Sequence, residues 1–73
     1  MNSVEFNLKK KIEATKEAID NGTLCKYNPM LMEQKQGIID ESIILNNKDN
    51  CGYSERDIIA MVNDAFANQL GVD

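Results

Sequence analysis

Tyr53-Ser54-Glu55-Arg56-Asp57-Ile58-Ile59-Ala60-Met61-Val62-Asn63-Asp64-Ala65-Phe66-Ala67-Asn68-Gln69-Leu70-Gly71 carries the start, the body and the stop of one helix in its residue types. Ser54 can accept a hydrogen bond from the Asp57 amide, Glu55 and Asp57 put negative charge at the positive end of the dipole, and Tyr53 can staple onto Ile58. At about 100° per residue, Ile58, Ile59, Met61, Val62, Ala65, Phe66 and Leu70 share one half of the wheel, with Arg56, Asp57, Asn63, Asp64 and Asn68 opposite. Gly71 supplies a left-handed stop. Such a helix must bury its apolar half, so the rest of the chain is read as its cover.

Working back towards the N-terminus, Asn28 and Pro29 form a second helix start, a cap followed by a residue whose φ suits the first turn, with Tyr27 placed to staple onto Met32. Leu31, Ile38, Ile39, Ser42 and Leu45 keep one face, while Glu33, Gln36 and Asp40 point away. Gly37 costs about 1 kcal/mol relative to Ala and marks where this helix would kink. The run Ser42-Ile43-Ile44-Leu45 also suits a short strand, but no partner strand exists to satisfy its ladder, so the helix is retained. Asn46 to Gly52 reads as a polar connection. The first helix is capped by Asn2 or Ser3 and carries a narrow stripe of Val4, Leu8, Ile12, Thr15 and Ile19, ending at Asp20-Asn21-Gly22-Thr23. Phe6 lies off that stripe, and Leu24 and Tyr27 anchor the link that follows. The expectation is an all-α fold, one small three-helix domain over residues 1–73, a helical hairpin plus a third amphipathic helix, with helices near 3–21, 29–45 and 54–70.

Composition sets the classes of function. Hydrophobic residues at 42% and charged residues at 27% are globular values. Seventy-three residues bury only about 60% of their unfolded surface, which makes a single core marginal and points to a homo-oligomer. Acidic residues outnumber basic ones 12 to 8 and the net charge is −4, so nucleic acid is a disfavoured partner. A helix-turn-helix reader fits poorly, because Asp57, Asn63 and Asp64 would face phosphate. No apolar run approaches a membrane span and no export signal is present, which suggests a cytosolic protein with free thiols at Cys25 and Cys51, although a disulfide between the two loops is left open. Heavy use of Asn, Lys and Ile is typical of AT-rich coding and suggests a low-GC bacterium or a phage.

Catalytic and metal chemistry is poorly supplied. There is no His, and two cysteines twenty-six positions apart do not make a zinc site. A calcium loop from Asn47 to Ile58 fails in register, because Cys51 and Ile58 fall where oxygen ligands are needed. No cofactor and no enzymatic role are expected, and no catalytic residue is assigned. What remains is an apolar excess at the edges of the stripes: Phe6, Met30, Met32, Ile44, Ile59 and Met61. These point to a small acidic module that works by protein contact as a regulator, inhibitor or adaptor, a phage-encoded inhibitor of a host protein being one concrete form. The alternative is a site for an anionic small ligand or nucleotide between subunits of a helical oligomer, built from Lys9, Lys10, Lys11, Lys26, Tyr27 and Arg56.

Overall fold

Each of the three expected helices forms, and the caps of α1 and α3 are those their residue types suggest. The computed structural model describes residues 1–25 and 29–72, in which α1 is Ser3–Asp20, α2 is Pro29–Asp49 and α3 is Glu55–Gln69. No strand occurs among the described residues. The Ser54 hydroxyl accepts from the Asp57 amide at 3.1 Å, and the Asp57 carboxylate accepts from the Ser54 amide at 3.3 Å, which closes a capping box. Ile58, Val62, Ala65 and Phe66 form the buried stripe of α3. Gly71 ends it at φ +68°, and the Val72 amide donates to the Phe66 carbonyl at 3.0 Å.

In α1, Asn2 is the cap and accepts from the Glu5 amide at 2.9 Å. Val4, Ile12 and Thr15 are buried, with Leu8 and Ile19 packed more loosely against the core. Thr15 can sit inside because its hydroxyl donates back to the Lys11 carbonyl at 2.8 Å. Beyond the helix, Leu24 is buried and its amide donates to the Ala18 carbonyl at 3.0 Å, so this part of the link lies on the domain as its composition suggests. Tyr27 and the Asn28 cap fall outside the described residues.

Ser42–Leu45 is helical, as expected, and α2 runs through Gly37 as one element. Its end needs correcting, because the helix continues to Asp49 rather than stopping near 45. Asn46, read as the first residue of a polar connection, is a buried helical residue. Its side-chain amide clamps both backbone polar groups of a residue seven positions on: Nδ2 donates to the Tyr53 carbonyl at 2.7 Å and Oδ1 accepts from the Tyr53 amide at 3.0 Å. The helix stops because Asn50 takes φ +51°, and the Cys51 amide returns to the Asn46 carbonyl at 3.2 Å. The Tyr53 hydroxyl then accepts from Asn2 Nδ2 and donates to Glu5 Oε1, both at 3.0 Å, which ties the α2–α3 loop to the start of α1. Glu5 is therefore held by the Tyr53 hydroxyl.

Ile12, Leu31, Ile58, Val62 and Phe66 form the centre of the core. Ser42 is fully buried beside them, and its hydroxyl has no hydrogen-bond partner among the described residues. Three substitutions separate these roles in chemical denaturation. Phe66→Ala removes a fully buried ring and should cost about 3–5 kcal/mol. Asn46→Ala strips the Tyr53 N–H and C=O of their side-chain partner and should cost about 1–3 kcal/mol. Ser42→Ala loses no hydrogen bond and gains helix propensity, so its midpoint should equal or exceed that of the parent.

Candidate interaction surface

Where α1 and α2 run side by side, short side chains leave a groove on the outer side of the seam. Its walls and floor are Lys11, Ala14, Thr15 and Ala18 from α1 and Gln34, Gly37, Ile38 and Glu41 from α2, enclosing about 400 Å³. Lys11 Nζ and Glu41 Oε2 approach to 3.9 Å across it, and both side chains are close to half exposed. A pair so solvated contributes roughly 0–1 kcal/mol. A Cβ built on Gly37 meets nothing within 4 Å, so packing within one copy does not demand a glycine there.

The six apolar residues singled out from the sequence are not gathered into one patch. Phe6, Met30, Met32, Ile44 and Ile59 are exposed and Met61 is half-buried. Met30, Gly37 and Ile44 follow one another at heptad spacing, so Met30 and Ile44 share the stripe of α2 that carries Gly37, roughly 21 Å apart and beyond the two ends of the groove's α2 lining. Met32 is turned about 140° round α2 from that line, and Phe6 about 130° round α1 from the groove. Phe6 lies instead beneath Lys10, whose Nζ is 5.3 Å from the ring centroid. Ile59 and Met61 flank the buried stripe of α3 on opposite edges, about 160° apart.

The alternative set converges less. Lys26 and Tyr27 lie outside the described residues, Lys10 is placed over Phe6, and Lys11 faces Glu41. Lys9 and Arg56 are exposed, one on α1 and the other in the first turn of α3. Cys25 and Cys51 are both free thiols, with Cys51 Sγ 3.5 Å from Ser3 Oγ. Asn47 and Asp49 are helical, which removes the backbone of the calcium-loop comparison as well as its register. Among the described residues no group of three or more His, Cys, Asp and Glu is placed to hold a metal ion, and no helix is long and apolar enough to cross a membrane.

Comparison with family models, with curated proteins and with solved structures finds no match. The groove itself was missed at sequence level because Ala14, Ala18 and Gly37 carry almost no hydropathy signal. What could have found it is their placement: Lys11, Ala14 and Ala18 repeat at three and four on α1, opposite the heptad line of α2. Since Gly37 has open space around it, Gly37→Ala should stabilise the monomeric fold by about 1 kcal/mol in thermal or chemical unfolding.

Proposed function

We propose that this protein works by contact, receiving a helical protein surface along the outer α1/α2 groove. The observation that carries this is a groove lined by Ala14, Ala18, Gly37 and Ile38, with exposed Met30 and Ile44 one heptad to either side of Gly37 on α2. Ile44 is 65% exposed although its helix has two packed neighbours in which an apolar group could be buried. Helix-in-groove recognition uses such a row of anchors at heptad spacing. A regulator, inhibitor or adaptor acts in this way, and the absence of His together with the dispersed carboxylates gives an enzymatic reading nothing to build on.

Affinity purification from the native source provides the test. A retained protein should be lost with Ile44→Glu or Met30→Glu, each folded by circular dichroism, and kept with Met32→Glu, which lies well round the helix. Moderate salt should change retention little. Loss on replacing Lys9, Lys10 or Arg56 by Gln, together with strong salt sensitivity, would instead favour an anionic ligand.

A further inference from the structure

We propose that the groove is covered by a second copy of this chain, related by a two-fold axis running along the groove and parallel to the helices. The proposal rests on the contact reading above and specifies its occupant. That symmetry lays α1 of each copy on α2 of the other. Because α1 and α2 are antiparallel within one copy, the new neighbours are antiparallel too, and their dipoles oppose. Ala14 and Ala18 of one copy then lie at the level of Gly37 and Gln34 of the other, and the two alanines and the glycine let the helix axes approach to about 8 Å. The open space above Gly37, which the monomer leaves unused, is filled by the opposite helix.

Charge agrees with this seat. The chain carries −4, so two copies repel over most of their surface, whereas the groove holds one cation and one anion. The same axis brings Lys11 of each copy to the level of Glu41 of the second copy, and the solvated internal pair can exchange for two reciprocal ones at little cost. Size agrees as well. The molecule measures 36 × 19 × 18 Å, and the face of a hairpin about 30 Å long and 19 Å wide covers on the order of 600 Å² per copy, the lower end for a specific interface.

Sedimentation velocity on the full chain, from low to high micromolar concentration, decides it. The parent should dimerise, and Lys11→Glu alone or Glu41→Lys alone should weaken the dimer at least tenfold, with helical content unchanged by circular dichroism. An equimolar mixture of these two variants should restore it: both cross-copy pairs are then opposite in charge, while each copy's internal pair remains repulsive. An intramolecular role for Lys11 and Glu41 cannot produce that rescue. Ala14→Arg, at an exposed position on the floor, should abolish the dimer and leave the fold intact. A parent that stays monomeric, a dimer indifferent to Ala14→Arg, or a mixture without rescue overturns the proposal. A monomeric parent that still captures a protein in an Ile44-dependent way removes the second copy as occupant and leaves the contact reading standing.

Discussion

The side-chain amide of Asn46, closed on the backbone of Tyr53, is the constraint through which the three helices share one geometry. Partly buried backbone groups need partners, and here one side chain satisfies both the N–H and the C=O of Tyr53, which belong to successive peptide units. This fixes where the chain leaves α2 and how far it runs before Ser54 opens α3. Tyr53 then passes the constraint on, since its hydroxyl joins Asn2, the cap of α1, to Glu5 in the first turn. In a domain of this size, where hydrophobic burial alone is marginal, such a polar junction orients helices that apolar packing only holds together.

The parts legible in the sequence are those where side-chain chemistry and position act locally. The Ser54 cap, the Gly71 stop, the α1 stripe and the core roles of Ile12, Ile38, Val62 and Phe66 depend on near neighbours and on period, and the structure has each of them. The end of α2 was not legible, because Asn46-Asn47-Lys48-Asp49-Asn50 has the composition of a loop. Its helicity is decided from outside the segment, by the backbone N–H and C=O of Tyr53 that hold Asn46 inward. The left-handed turn falls at Asn50 instead, one of several Asn and Gly residues able to take positive φ.

The surface was less legible than the core for a related reason. Hydropathy points to large side chains, and Phe6, Met30, Met32, Ile44, Ile59 and Met61 were named on that basis. Whether they form a patch depends on which side of each helix its neighbours occupy. With α1 and α3 on adjacent sides of α2, Met32 is separated from Met30 and Ile44, and the feature that remains between those two is defined by what Ala14, Ala18 and Gly37 lack.

The inversion within α2 has physical content of its own. This helix buries Ser42 and Asn46, two polar residues, while Ile44 stands in solvent between them in sequence. Exchanging an exposed Ile for a polar residue would cost a soluble monomer nothing, and burying an apolar group at Ser42 would add roughly 1.5–3 kcal/mol if the volume allowed. Asn46 is accounted for by its clamp on Tyr53, a constraint that does not reach Ile44. A single exposed apolar side chain is ordinary on a protein surface. One that continues the line of Met30 and Gly37 stands where the proposed contact along α2 would cover it.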